Sequence, residues 1–374
     1  MMQRLQLQHV DWWIIGSVVA LLFFSTITMA SFGSGDGYLV KQSIWAIVAL
    51  SVLFVSAKID MSLLKKSSIL SIFFVAANFL LVLVIILGKT AKGATSWFNL
   101  GGISFQPSDL VKIVLILIMA KYLSRRHVEI ADMKHLLITG MYCFIPFVLV
   151  FLQPDFGSAI IFGCIWFGMM MVSGLSKKHL LILTGTGLVI GALLWGFVFK
   201  PYQKARIMNF LNPLADIRGT GYNAYQSMIA VGSGQIIGKG VGFGTQSRLS
   251  FLPEYQTDFI FAAFAEEWGF VGSILVLTCY SIIFWRLIRL ATGGATNFET
   301  LYALGIGVYF ASHVLINIGM NIGLLPVTGI TLPFMSYGGS HLIAECLALG
   351  ILFSLSRNRR GIHRDDTQYE FLGA

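Results

Sequence analysis

The chain has 374 residues, 56% of them hydrophobic and only 11% charged, with a mean hydropathy of +0.79 and a formal net charge of +9. That composition excludes an ordinary soluble globular domain. The basic residues are dispersed and form no DNA- or RNA-binding module, so the excess charge does not point to nucleic acid.

Apolar runs of about 17–24 residues recur, each long enough to cross a hydrocarbon core of about 30 Å as a helix. They cover 11–31, 39–57, 69–88, 106–122, 136–153, 156–174, 179–199, 259–285, 300–324 and 339–356. An outer-membrane barrel would instead show alternating segments of about ten residues. The predicted fold is all-α: a polytopic membrane bundle of ten transmembrane helices, a single domain over 1–374. A large extracytoplasmic loop, 200–258, joins the seventh and eighth helices. The first span reads as a membrane helix and not a cleaved signal, because its apolar core is long, only Arg4 precedes it and further spans follow. Cys143, Cys164, Cys279 and Cys346 lie inside spans without metal-site spacing and read as packing residues.

Orientation follows from the short loops. Lys58, Lys65 and Lys66 follow the second span, and Lys121, Arg125, Arg126 and Lys134 the fourth. Lys177 and Lys178 follow the sixth, Arg286 and Arg289 the eighth, and Arg357, Arg359, Arg360 and Arg364 the tenth. Loops 32–38 and 325–338 carry no Lys or Arg. Every even-numbered exit is basic, which predicts a multi-pass protein of the cytoplasmic membrane with both termini in the cytoplasm.

This topology places 89–105, with Lys89 and Lys92, and 200–258 on the outer face. The second segment carries Lys200, Lys204, Arg206, Arg218, Lys239 and Arg248, against Asp216 and Glu254 as the only acids before Asp258. Gly219, Gly221, Gly232, Gly234, Gly238, Gly240, Gly242 and Gly244 accompany them. Glycine lets successive N–H groups turn toward one anion while Lys or Arg supplies counter-charge, so a membrane-borne anion is the expected ligand. The plainer reading is a solvated loop of arbitrary charge, since the positive-inside bias weakens for long loops. Gly234–Gly240 is no nucleotide P-loop: its glycine spacing is wrong, and Gly240 stands where Ser or Thr is needed. The stretch 222–237 is amphipathic and is expected to lie on the membrane surface as a short helix.

Charged residues within spans are functional candidates by default. Gln106-Pro107-Ser108-Asp109 opens the fourth span, and Lys112 lies three residues on, where the two charges can neutralise each other. Gln153-Pro154-Asp155 interrupts the chain between spans five and six. One cation between the carboxylates of Asp109 and Asp155 would equally make a structural clamp. His341 and Glu345, one turn apart, read first as a self-satisfied pair. Asp258 opens the eighth span beside the basic loop, with Glu266 and Glu267 below it. On one helix Asp258 and Glu266 would lie about 12 Å apart, against about 5–9.5 Å for paired glycosidase carboxylates, so a single general base is the simpler model.

Several motifs carry a family resemblance. Leu252-Pro-Glu-Tyr-Gln-Thr-Asp-Phe-Ile-Phe-Ala262, Ala265-Glu-Glu-Trp-Gly269, Gln106-Pro-Ser-Asp-Leu-Val-Lys112, Gln153-Pro-Asp-Phe-Gly157, Asn317-Ile-Gly-Met320 and Leu332-Pro-Phe-Met-Ser-Tyr-Gly-Gly-Ser340 resemble those of the SEDS family of shape, elongation, division and sporulation proteins. The likeness runs from first span to last, and Gly244–Glu254 is more similar to the elongation branch than to the division branch. The family commonly has Glu at position 109, His at 256, Leu at 268, and small or amide residues at 341 and 345.

The resemblance implies a glycosyltransferase that polymerises lipid II into β-1,4-linked glycan outside the cytoplasmic membrane, releasing undecaprenyl pyrophosphate. It implies Asp258 as the base, with Gln106, Asp109, Lys112, Gln153, Asp155, Arg206, Lys239, Arg248, Glu254 and Glu266 as cavity or substrate-binding residues. The loop cations, with a divalent ion such as Mg or Mn as a further candidate, would stabilise the departing pyrophosphate. A class B penicillin-binding protein is the implied partner. Two other classes remain open at this point: a lipid-linked precursor flippase or transporter, and a non-catalytic scaffold for a transpeptidase.

Overall fold

The computed structural model describes residues 10–32, 37–91, 94–100, 103–125, 133–212, 216, 219, 221–249 and 251–357. Arg4, Lys92, Arg126, Arg218, Arg359, Arg360, Arg364 and positions 33–36 lie outside them. Ten helices occupy the ten expected spans: α1 (Trp12–Ser31), α2 (Tyr38–Lys58), α3 (Ser67–Leu87), α4 (Pro107–Ser124), α5 (Met133–Leu152), α6 (Phe156–Val172), α7 (Lys177–Leu193), α11 (Ile260–Thr292), α12 (Asn297–Asn321) and α13 (Gly339–Arg357). Three shorter ones, α8 (Pro201–Leu211), α9 (Tyr222–Ser233) and α10 (Thr245–Arg248), build the polar segment that hydropathy alone reads as loop. Eight of the ten are long and apolar enough to cross a membrane, α7 together with the π-helical turn Leu194–Val198 that continues it. The others are α6, with 17 residues, and α4, whose 18 residues include Asp109, Lys112 and Lys121. The chain is a multi-pass helical membrane protein.

Local chemistry sets the helix starts. Asp11 accepts the N–H groups of Trp13 and Ile14 at the head of α1, Asp155 that of Ser158 at α6, and Thr296 that of Glu299 at α12. Pro107 stands in the first turn of α4, where no N–H is needed. At the centre, α13 packs along α2 and touches α4 and α12. Gly350 makes the α2 contact close, since an added Cβ would strike Ser56.

Charged and aromatic contacts gather basic residues at one end of the bundle. Lys65 pairs with Glu299 at 2.9 Å, Lys121 lies 5.7 Å over the Phe298 ring, and Arg357 donates to the Lys58 carbonyl at 2.7 Å. The polar segment with α8–α10 belongs to the other end.

Three features depart from the expectations. Residues 89–105 form a small antiparallel sheet of β1 (Lys89–Ala91), β2 (Ala94–Leu100) and β3 (Ile103–Phe105). Leu100 pairs with Ile103, and the β-favouring Thr95, Trp97 and Phe98 fill β2. The amphipathic helix α9 does not lie free on a membrane surface. It packs on α11 and α12, burying Ser227 and Ala230, and Ser227 Oγ donates to the Asn321 carbonyl at 2.9 Å.

The third departure is in α11, which runs past the expected end at 285 and is broken at Gly269 (φ 64°, ψ −159°). Its freed backbone groups are taken up by the polar segment. Lys239 and Gly240 N–H donate to the carbonyls of Glu266 and Glu267, both at 3.0 Å. In return, Phe270 and Val271 N–H donate to Gln235 and Ile236 at 2.9 and 3.0 Å. Irregular backbone in a spanning helix persists only where such partners exist.

Candidate active site

Asp258 lies just before α11 in a tight turn. The Glu254 carbonyl accepts the N–H groups of Thr257, Asp258 and Phe259 at 3.1, 3.1 and 3.2 Å, and Thr257 Oγ1 donates to Glu254 Oε2 at 3.2 Å. Two fully buried amides of α12 hold the Asp258 carbonyl: Asn317 Nδ2 at 3.0 Å and Asn321 Nδ2 at 3.1 Å. Asn317 also donates to the Ile330 carbonyl at 2.6 Å, and Asn321 Oδ1 accepts the Ala262 N–H at 3.1 Å.

The preceding residues are gripped by the 332–337 turn, where Ser336 Oγ donates to the Thr257 carbonyl at 2.7 Å and Tyr337 N–H to the Gln256 carbonyl at 2.8 Å. The Asp258 side chain itself is only half-buried. It faces Gly329, where an added Cβ would stand 3.4 Å from Asp258 Oδ2. This geometry is a half-buried carboxylate on a firmly held backbone. It suits proton abstraction, which needs position before it needs a particular pKa.

A shallow cleft is lined by Arg206 and Asn209 of α8, Met228 of α9, Met320 of α12, and Gly323, Leu325, Pro326 and Val327 of the link that follows. Val327 lines this cleft, and Gly329 two residues on abuts the Asp258 carboxylate. The cleft thus joins a guanidinium to an apolar wall, and its Val327 edge is two residues along the chain from Gly329.

The structure separates the other predicted cations and acids by task. Lys239 Nζ is 2.7 Å from Glu266 Oε1, and the same carboxylate accepts the N–H groups of Thr245 at 2.9 Å and Gln246 at 3.1 Å. Glu267 Oε1 accepts the Gly242 N–H at 3.1 Å. These two acids pin the glycine-rich stretch and α10 to the break in α11. Arg248 donates to the Gly242 carbonyl at 3.0 Å from an exposed position on α10.

Deeper in the bundle, Lys112 and Asp109 pair as their spacing predicts, at 3.1 Å and both buried. Asp155 does not share that cation. Its Oδ2 accepts from Gln106 Nε2 at 2.9 Å and its Oδ1 caps α6, while the Gln106 N–H donates to Ser340 Oγ at 3.0 Å. The second carboxylate in the ionic group is Glu345, through His341: His341 Nε2 lies 2.7 Å from Glu345 Oε1 and Nδ1 lies 3.6 Å from Asp109 Oδ1. His341 and Glu345 thus join Asp109 and Lys112 in one buried cluster and are not an isolated pair. Gln153 Nε2 donates to the Leu81 carbonyl at 3.0 Å, and its own carbonyl accepts the Thr95 N–H of β2 at 3.2 Å. That ties the sheet to α3 and α5.

Asn321, Ser336, Thr331 and His313 play parts that the sequence reading did not assign. Two amides four residues apart in an apolar helix, Asn317 and Asn321, were a legible sign of interhelical hydrogen bonding.

The FtsW/RodA/SpoVE cell cycle protein family matches residues 3–361. The peptidoglycan glycosyltransferase MrdB of Escherichia coli is 36% identical over 357 residues, covering 94% of this chain and 95% of that protein. Stage V sporulation protein E of Bacillus subtilis is 37% identical over 325 residues, 86% of this chain and 87% of that protein. Among solved structures, a chain from a peptidoglycan synthase complex that coordinates polymerisation and crosslinking superposes with a TM-score of 0.81 at 30% identity, covering 93% of this chain and 98% of that one. The rod shape determining protein RodA of Thermus thermophilus gives 0.70 at 29% identity, with 93% and 97% covered.

Proposed function

The chain belongs to the FtsW/RodA/SpoVE family of cell cycle proteins, and from that premise we propose that it is a peptidoglycan glycosyltransferase. It polymerises lipid II into β-1,4-linked glycan on the outer face of the cytoplasmic membrane and releases undecaprenyl pyrophosphate. The observation that carries the reading is Asp258: a half-buried carboxylate on a backbone locked by Asn317 and Asn321.

Asp258 removes the proton from the acceptor sugar's 4-hydroxyl as that oxygen bonds to C1 of the lipid-linked donor. The C1–O bond to pyrophosphate breaks with inversion, and its electron pair departs on the diphosphate. Fixed donors beside a leaving diphosphate stabilise the developing charge most. Arg206, which lines the cleft, is the candidate for that part. Among the described residues no group of three His, Cys, Asp or Glu side chains is placed to hold a metal ion by itself.

The basic end of the bundle supports a cytoplasmic location for both termini, which puts Asp258 and the 200–258 segment outside. The likeness of Gly244–Glu254 to the elongation branch supports a role in rod-shaped growth. A class B penicillin-binding protein supplies the crosslinking activity alongside it. The test is polymerisation of lipid II by the purified protein with no second enzyme. Wild type makes polymer and Asp258→Ala makes none; polymer from the variant removes Asp258 as the base. Absence of polymer from a folded wild-type protein removes the glycosyltransferase reading.

A further inference from the structure

Asp258 is held on one side by a turn that is itself fastened to buried charges. The turn spans Thr331 to Tyr337. Its upper contacts are the Ser336 and Tyr337 bonds to Thr257 and Gln256, and the Asn317 side chain shared between the Ile330 and Asp258 carbonyls. Its lower contacts come from α13. Glu345 Oε2 accepts the Phe334 N–H at 2.9 Å, and His341 Nε2 lies 2.7 Å from Thr331 Oγ1. Phe334 has φ 60°, a left-handed backbone that a bulky residue adopts only when its surroundings impose it. The Glu345 carboxylate captures the very N–H that this conformation turns inward.

We propose that His341 and Glu345 are positioning residues for the reaction, setting the 331–337 turn and through it Asp258. The proposal rests on the reading of Asp258 as the base. The two side chains form one device. Glu345 uses one oxygen on Phe334 and places the other 2.7 Å from His341 Nε2, and His341 turns its Nδ1 toward Asp109, already paired with Lys112. Two acids and two bases thus gather in one buried cluster beneath the turn. His313 braces the same turn from α12, its Nδ1 3.0 Å from the Thr331 carbonyl.

Polymerisation by the purified full-length protein is measured for wild type, Glu345→Gln, Glu345→Leu, His341→Ser and Asp258→Ala, with kcat and KM for lipid II taken separately. Gln keeps an acceptor for the Phe334 N–H and Leu does not. Displacing a reacting group by about 1 Å costs on the order of 100-fold in rate, so Glu345→Leu is expected to lose about 10–100-fold in kcat. KM stays within about twofold, because substrate binding is not what the turn supplies. Glu345→Gln recovers most of the rate. If Glu345→Leu fails to fold, His341→Ser carries the test: it keeps the Phe334 bond, frees Thr331, and is expected to lower kcat at unchanged KM. Wild-type kcat in a folded Glu345→Leu or His341→Ser protein overturns the proposal, and so does a loss confined to KM. Polymer from Asp258→Ala sinks the reading of the base and this proposal with it. An inactive Asp258→Ala beside fully active α13 variants sinks this proposal alone.

Discussion

Replacing Gly269 by alanine tests whether the break in α11 is the anchor of the polar segment. The Gly269 backbone (φ 64°, ψ −159°) lies in a region essentially reserved for glycine, where another residue costs on the order of 1–3 kcal/mol. A Cβ there would also collide with Gly238 N and the Ile236 carbonyl, which are main-chain atoms and cannot swing aside as a side chain would. Stretch 235–240 must therefore back away, and the four backbone hydrogen bonds it makes to Glu266, Glu267, Phe270 and Val271 are lost or lengthened. At about 0.5–1.5 kcal/mol each, these bonds match the backbone strain, and about 3 kcal/mol is a conservative floor for the total.

One kcal/mol moves the midpoint by about 2–4 °C in domains of 150–250 residues, so a loss of at least about 5 °C is expected. The assay is the apparent unfolding temperature of the detergent-solubilised protein at one scan rate, paired with tryptic cleavage after Lys239 and Arg248. Cleavage at both should quicken. An unchanged midpoint together with unchanged cleavage would refute the anchoring argument.

Two further substitutions follow from the charge pairs. Lys112→Met strands the buried Asp109 carboxylate and should cost about 3–5 kcal/mol, while the double change Lys112→Met with Asp109→Leu should cost less than the single one; apparent midpoints of the three proteins decide this. Glu266→Ala should destabilise more than Lys239→Ala, because the carboxylate serves two N–H groups as well as the ammonium, at about 1.5–3 kcal/mol per charged bond. Lys239 is 29% exposed, and its loss should stay near about 1 kcal/mol. Equal midpoint shifts for the two variants would contradict the assignment of Glu266 as the hub.

The spans were legible because twenty apolar residues in a row admit few alternatives, and the basic exits were legible because each is local in sequence. The Lys112–Asp109 pair was legible for the same reason, being set by helix spacing alone. The break at Gly269 was not, since nothing within α11 announces that donors will arrive from residues thirty positions upstream. Lys239 looked like a free cation for an anionic ligand, yet its partner Glu266 is visible only once α11 is folded beside the 234–244 stretch. Asp155 looked like the second carboxylate around Lys112, but capping α6 and binding Gln106 already occupy both of its oxygens. His341 joined the cluster instead, across a helix contact that periodicity cannot report. Asp258 itself was found as a lone acid at a span edge, without the clamp of Asn317, Asn321 and Ser336 that gives it one orientation.

The junction of Gln106, Asp155 and Ser340 has a mechanical consequence. Three helices begin there, α4, α6 and α13, and each contributes one member of the same knot. Sliding any one of them past the others would break the hydrogen bonds that Gln106 makes with Asp155 and Ser340. The three helix ends are therefore expected to move as one unit, leaving the flexing that turnover demands to other parts of the helical bundle.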